Sequence, residues 1–444
     1  MLESLELRDV GPAPLMRFEL APRLNLLTGD NSLGKSFVLD CIWWVLTQRW
    51  AKQMALPTRL GPEVKPEVVG RWHEPDKEAK KRHWLFDRSA WRWKLSLPLP
   101  KEELRPYEET AYACAPALYV RMDGEFSVWD PLRNIQDVIV GSATSIERPV
   151  PLDLSASQVW DGRTVPTHAL LPDGSQRWAC NGLIRDWQTW RYQKKEVFEQ
   201  FRRVLEGLSP HPARESLKPG EAVRISPEES RDIPVVVLPY GEVPITLASA
   251  GLRRVLSLAY LLVWMWHEHV EAAKLAGVAP ARELIVLVDE IEAHLHPQWQ
   301  RVILPALFEV LRGLEPSWAV QVVATTHAPL VLASAEPLFE EPRDALFHFA
   351  PHGGTVQVHR QPLVRQGDVV GWLTSEVFGL EQARSRDAER AIEAAEAFMR
   401  GEVAALPEGL TTREAIHAEL QRLLPGHDPF WARWIVSTQG FPSP

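Results

Sequence analysis

Gly29-Asp30-Asn31-Ser32-Leu33-Gly34-Lys35-Ser36 places two glycines, a lysine and a serine at the spacing of a loop that cradles phosphates. The apolar run Leu24-Asn25-Leu26-Leu27 before it reads as a short buried strand. Phe37-Val38-Leu39-Asp40-Cys41-Ile42-Trp43-Trp44-Val45-Leu46 after it reads as a helix. Strand, loop and helix in that order are the context a Walker A motif requires. Gly29 and Gly34 let successive N–H groups turn toward one point, and the helix N-terminus adds its positive end. Lys35 is placed to reach the terminal phosphates, and Ser36 offers a hydroxyl to Mg²⁺. The candidate nucleotide-binding positions are Gly29, Asn31, Ser32, Leu33, Gly34, Lys35, Ser36 and Phe37.

Far downstream, Glu283-Leu284-Ile285-Val286-Leu287-Val288 is a continuous apolar run of the kind found in strands covered on both faces, and it ends in Asp289-Glu290. Carboxylates at such a strand end fall where open α/β sheets bind ligands. Asp289 is the candidate Mg²⁺ carboxylate of a Walker B motif, and Glu290 the candidate that orients or deprotonates the attacking water. A third strand, Ala319-Val320-Gln321-Val322-Val323-Ala324-Thr325-Thr326, ends at His327, an imidazole at the same sheet edge. The fourth piece is Leu247-Ala248-Ser249-Ala250-Gly251-Leu252-Arg253-Arg254, followed by a helical apolar run from Val255 to Leu262. A serine hydroxyl, a glycine N–H and a helix start form an anion site, although Ser-x-Gly before an apolar run is also ordinary N-cap chemistry.

In chain order the motifs run Walker A, signature, Walker B, switch histidine. That order resembles the soluble ABC-type ATPases of the RecF, SMC and OLD group, most closely the stand-alone ATPases of bacterial anti-phage defence islands. Asp289-Glu290-Ile291-Glu292-Ala293-His294-Leu295-His296-Pro297 looks like the Walker B and D-loop of that group. Weaker matches are Asp186-Trp187 through Gln193-Lys194, Tyr240-Gly241 with Val243-Pro244, and Leu373-Thr374-Ser375 with Phe378-Gly379-Leu380. The resemblance implies that Ser249 and Gly251 cap the nucleotide held by a second copy, making a homodimer or higher oligomer around ATP and Mg²⁺. Ala250 and Leu252 depart from the family pattern at the first glycine and at the usual Gln or Glu. The resemblance also implies that His327 contacts the γ-phosphate and that a glutamine links Mg²⁺ to the insertion. Gln48, Gln53 and Gln136 are all candidates for that glutamine.

The fold class expected is α/β: a P-loop ABC-type ATPase core split by a β-rich and helical insertion, with a C-terminal helical subdomain. The core is expected over 1–50 and 232–360, a β-rich insertion lobe over 51–180, a helical arm and linker over 181–231, and the helical subdomain over 361–444. Within the lobe, Asp123-Gly124 between Ala117-Leu118-Tyr119-Val120-Arg121 and Glu125-Phe126-Ser127-Val128-Trp129 is a hairpin signal. The arm carries Arg185, Arg191, Lys194, Lys195, Arg202 and Arg203, either a solvated helix face or a track for a phosphate backbone.

The 444 residues, 45% of them apolar and 24% charged, suit a sizeable globular core, and a net charge of −9 offers no global attraction to DNA. Cys41, Cys114 and Cys180 lack zinc or disulfide spacing and favour a reducing compartment. The start of the chain has no charged and apolar leader pattern, and the longest apolar run, Val255 to Trp266, falls short of the roughly 20 residues of a bilayer span. A cytoplasmic protein without membrane contact is therefore expected. Its 19 tryptophans read as packing. His294 and His296 lack a third ligand for a metal site. Glu376, Glu381, Asp387 and Glu389 lie in helical or turn-like sequence, which argues against a nuclease within this chain. The leading expectation is an ATPase controlling a companion nuclease or other effector in anti-phage defence. The alternatives are a RecF-like DNA-repair ATPase and a nucleotide-gated scaffold without turnover; a transporter subunit is disfavoured by the D-loop run.

Overall fold

The computed structural model describes residues 1–58, 64–73, 80–96, 115–133, 135–140, 144–165, 177–210 and 216–438. They form two units, Met1–Arg365 and Gln366–Pro444.

The first unit is built on two sheets with a helix between them. Strands β1 (Leu2–Arg8), β2 (Leu15–Glu19), β4 (Glu67–Trp72), β5 (Lys80–Asp87) and β6 (Arg92–Leu95) form an antiparallel sheet in the order β2-β1-β4-β5-β6. The other sheet contains β3 (Leu24–Gly29), β7 (Ala117–Val120), β8 (Phe126–Trp129), β9 (Leu152–Leu154), β10 (Glu283–Val288), β11 (Ala319–Thr325), β12 (Asp344–His352) and β13 (Thr355–Gln361). Its order is β9-β8-β7-β10-β11-β3-β12-β13. The five strands from β7 to β12 in that order run parallel, so the C-terminal ends of β3, β10 and β11 share one edge.

Helix α1 (Lys35–Thr47) is apolar on nearly every side, the mark of a helix with no solvent face. It shares one apolar cluster with residues of both sheets, including Leu5, Phe18, Val68, Tyr119, Leu287 and Phe347. Contact with β4 is so close that a Cβ at Gly70 would lie 2.5 Å from Val45 Cγ1.

The helical arm is two helices, α2 (Leu183–Gln193) and α3 (Lys195–Gly207), and the signature segment opens the long helix α4 (Ala250–Ala276). The apolar run Val255–Trp266 is buried within α4, and no helix among the described residues is long and apolar enough to cross a membrane. Seven tryptophans, Trp43, Trp129, Trp187, Trp190, Trp264, Trp372 and Trp434, are among the largest fully buried side chains described. Cys41 and Cys180 are buried free thiols; Cys114 lies outside the described residues.

The described residues of 51–180 are divided among sheets: Ile135–Val140 pairs with Thr144–Pro149 and Arg163–Val165 with Arg177–Cys180 as two-stranded sheets of their own. β4, β5 and β6 extend the sheet begun by β1, and the expected hairpin β7–β8 is there but joins the central sheet beside β10. All four residues of β7 and of β8 are buried, as in a strand covered on both faces rather than a lobe hairpin with one wet face. The second unit has its own core, in which Ala388, Ala391 and Ile392 of a helix over Arg386–Arg400 pack with Ile416 and Leu420 of Arg413–Leu423 and with Trp434 of Phe430–Thr438.

Candidate nucleotide site

The loop between β3 and α1 requires its glycines. Gly29 has φ 137° and a Cβ there would sit 2.3 Å from the Phe349 carbonyl oxygen; Gly34 has φ 93° and a Cβ would sit 2.6 Å from Pro12 Cγ. Gly34 also stands at the N-cap of α1 without a side-chain cap, so the N–H groups of the first turn face outward as anion donors. Asn31, Ser32 and Ser36 are exposed, Leu33 and Phe37 half-buried, and Lys35 is 5% exposed. The Lys35 ammonium donates to the carbonyls of Gly29 at 2.9 Å and Asp30 at 2.7 Å. Burial pulls it down to about 8, against the opposing pull of Glu290, Asp30, Asp289 and Glu292.

Asp289 follows β10 and His327 follows β11 by two residues, so parallel register delivers both to the edge where β3 ends. Ser36 Oγ donates to Asp289 Oδ1 at 2.9 Å, and Thr325 Oγ1 donates to the same oxygen at 2.9 Å. Thr325 Oγ1 in turn accepts the Glu290 N–H at 2.7 Å. Glu290 adopts φ 46°, in the left-handed region, and its Oε1 lies 3.6 Å from His327 Nε2. The His327 N–H donates to Glu292 Oε1 at 2.5 Å. Burial pushes the Glu292 carboxyl up, against hydrogen bonds from His327 and Thr326. The hydroxyl of Ser36 beside the carboxylate of Asp289 is a hard-oxygen pair that fits Mg²⁺.

The structure therefore brings together Gly29, Lys35, Ser36, Asp289, Glu290 and His327. Ser249 and Gly251 stand elsewhere on the same chain. Ser249 caps α4, accepting the Leu252 N–H at 3.3 Å, and a Cβ at Gly251 would meet the His294 carbonyl at 2.5 Å. Both line a recess of about 320 Å³ with Tyr240, His294 and His296, and none of residues 29–37 lines it. His296 accepts the Gln298 N–H at 3.4 Å, a capping role. Gln48 caps the C-terminus of α1, Gln53 is exposed, and the side chain of Gln136 lies outside the described residues. At the strand end beside Asp289 stands Arg121, since Val120 is paired with Val288. Its guanidinium turns away to Ser127 Oγ at 2.8 Å.

Thr325, Glu292 and Arg254 hydrogen-bond at the site although the motif patterns give them no role. Thr325 was findable as the last polar residue of an apolar strand next to the Walker B strand; the other two have no local signal. Glu381 and Glu389 of the second unit approach Glu393 with carboxylate oxygens within 4.8 Å, on the surface.

Deprotonation of Lys35 near pH 8 has a measurable consequence. A phosphate beside Nζ favours the ammonium and raises its pKa, so nucleotide binding is expected to take up protons through Lys35 between about pH 7.5 and 9.5. Calorimetry in buffers of different ionisation enthalpy reads this directly; no buffer dependence at pH 8.5 would contradict it.

This constellation on a parallel sheet edge defines a P-loop nucleotide-binding protein. Residues 24–333 match the family described as "AAA domain, putative AbiEii toxin, Type IV TA system", and the chain belongs to that family. It is similar to the Septu protein PtuA of Bacillus mycoides (strain KBAB4), at 35% identity over 105 residues, 22% of this chain and 12% of that protein. The Septu protein PtuA of Bacillus thuringiensis is 30% identical over 107 residues, 23% of this chain and 24% of the relative. The retron Ec83 probable ATPase of Escherichia coli is 45% identical over 47 residues, 11% of this chain and 8% of the relative. These matches span at most a quarter of the relatives' lengths. Among solved structures, an SMC head domain from Thermotoga maritima aligns with TM-score 0.40 at 15% identity, covering 81% of this chain and 99% of that one. An SmcHead bound to the C-winged helix domain of ScpA aligns with TM-score 0.47 at 15% identity, covering 81% and 98%.

Proposed function

We propose that this chain binds and hydrolyses MgATP as a homodimer, each nucleotide held by the Walker A loop of one copy and capped by the signature loop of the other. The dimerisation controls a companion effector in anti-phage defence in the cytoplasm. The observation that carries the reading is the hydrogen-bonded chain from Ser36 through Asp289 and Thr325 to Glu290, with His327 beside it. Lys35 and the first N–H groups of α1 bind the phosphates. Ser36 and Asp289 would hold Mg²⁺, which would supply charge neutralisation to the nucleotide's phosphates. Glu290 orients water and accepts its proton, and His327 donates toward the γ-phosphate.

Ser249 and Gly251 line a recess without phosphate-loop residues, which supports their service to a second copy. Contact with DNA through the helical arm is the weaker reading. Arg191 is paired with Glu221, and Arg202 with Glu199 and Glu206, so two of its six cations already have carboxylate partners. Ser249→Arg puts a long cation where the partner's phosphate is to be capped. It is expected to keep nucleotide binding by the monomer and to lose ATP-dependent association and hydrolysis together. Full ATPase activity in a phosphate-release assay would remove the composite site.

A further inference from the structure

Arg254 closes the signature segment in the first turns of α4, three residues past Gly251, and no step of the proposed hydrolysis uses it. Its guanidinium donates to four main-chain carbonyls. Nη1 reaches Arg121 O at 3.0 Å and Met122 O at 3.2 Å; Nη2 reaches Asp289 O at 2.9 Å and Glu290 O at 3.0 Å. These acceptors are the loop after β7 and the end of the Walker B strand, neighbours in the central sheet. The side chain is therefore a bracket between the signature helix and the peptide that carries the proposed water-orienting glutamate.

The Glu290 peptide is gripped from both sides. Its N–H is held by Thr325 of β11 and its carbonyl by Arg254 of α4, at a left-handed φ of 46°. A non-glycine residue in that region persists only where surrounding contacts over-determine it. The same helix start touches the same segment again at Gly251, whose Cα leaves no room for a Cβ against the His294 carbonyl. With contacts at 289, 290 and 294, a shift in the start of α4 cannot leave the aim of Glu290 unchanged. Desolvation of the half-buried guanidinium works against its charge, and Asp289, Glu292 and Glu290 only partly offset this. A helix anchor alone is served more cheaply by apolar packing.

We propose that Arg254 is a positioning residue that makes the aim of Glu290 depend on the seating of this chain's signature loop, so that capping the partner's nucleotide and readying this chain's own glutamate are one event. The capping half rests on the composite-site reading above; the tether from Arg254 to Glu290 does not.

The test compares Arg254→Gln, Arg254→Lys and Ser249→Arg with the full-length wild type, using MgATP. Arg254→Gln is expected to bind MgATP within about threefold of wild type, with KM little changed and kcat reduced about 10²-fold, the cost of a displaced catalytic group. Arg254→Lys keeps the charge with fewer donors and is expected to recover about tenfold of that loss. Amide exchange over 289–294 in the MgATP-bound protein is expected to quicken in Arg254→Gln, a readout independent of turnover. Wild-type exchange there in Arg254→Gln overturns the proposal. So does a parallel loss of thermal stability, MgATP binding and turnover in both Arg254 variants. If Arg254→Gln loses turnover while Ser249→Arg keeps it, the tether stands and the composite site falls; the reverse pattern removes the tether and leaves the composite site.

Discussion

Lys35→Ala is expected to lose MgATP affinity by roughly 10²-fold or more, since charge-assisted bonds contribute about 1.5–3 kcal/mol each and the ammonium is placed to make more than one. The folded protein is expected to persist. α1 is fixed by Val38, Leu39, Ile42, Trp43, Val45 and Leu46, all buried in the cluster between the sheets, and none of that packing involves the ammonium. What Lys35 does contribute is its pair of bonds to the carbonyls of Gly29, at the buried end of β3, and Asp30, at the start of the loop. Calorimetry of nucleotide binding, with thermal unfolding as the folding control, checks both halves. Equal affinity in the two proteins would rule out the phosphate cradle.

How much of this was legible beforehand divides cleanly by range. The phosphate loop, the two strand ends and the signature segment are short, and each carries its own chemistry in consecutive residues. Gly29 and Gly34 are glycine for reasons the motif already states, and the positive φ values agree. The hairpin at Asp123-Gly124 is likewise local: Gly124 takes φ 81°, and Arg121 N–H meets Glu125 O at 3.0 Å.

Partner choice of strands is another matter. That β4 pairs with β1 across some sixty residues, and that β7 slots beside β10, depends on register between distant segments, which alternation in either segment alone does not encode. One signal was present: Ala117-Leu118-Tyr119-Val120 is continuously apolar, as a doubly covered strand is. Arg254 was opaque for the same reason, because its acceptors are carbonyls, and carbonyls leave no trace in side-chain sequence. The linking glutamine stays unassigned, with Arg121 at the strand end beside Asp289.

Glu290→Gln is the second large effect. The amide keeps the size of the side chain but cannot accept a proton from water, so turnover is expected to fall roughly 10²-fold or more while MgATP binding is retained. Ser36 and Asp289 remain bonded through Asp289 Oδ1 in this variant, and the Glu290 main-chain N–H still donates to the Thr325 side-chain hydroxyl. Binding retained and turnover lost separates an enzyme from a nucleotide-gated scaffold. A scaffold would show no phosphate release in either protein.

That variant also supplies the most direct test of the central claim, that two copies of this chain close around ATP. Light scattering of Glu290→Gln, with and without MgATP, measures the mass of the species formed when hydrolysis is too slow to release it. The mass is expected to double on adding MgATP and to stay at the starting value when Ser249→Arg is combined with Glu290→Gln. A mass indifferent to nucleotide, or one that doubles equally in the combined variant, would contradict the account.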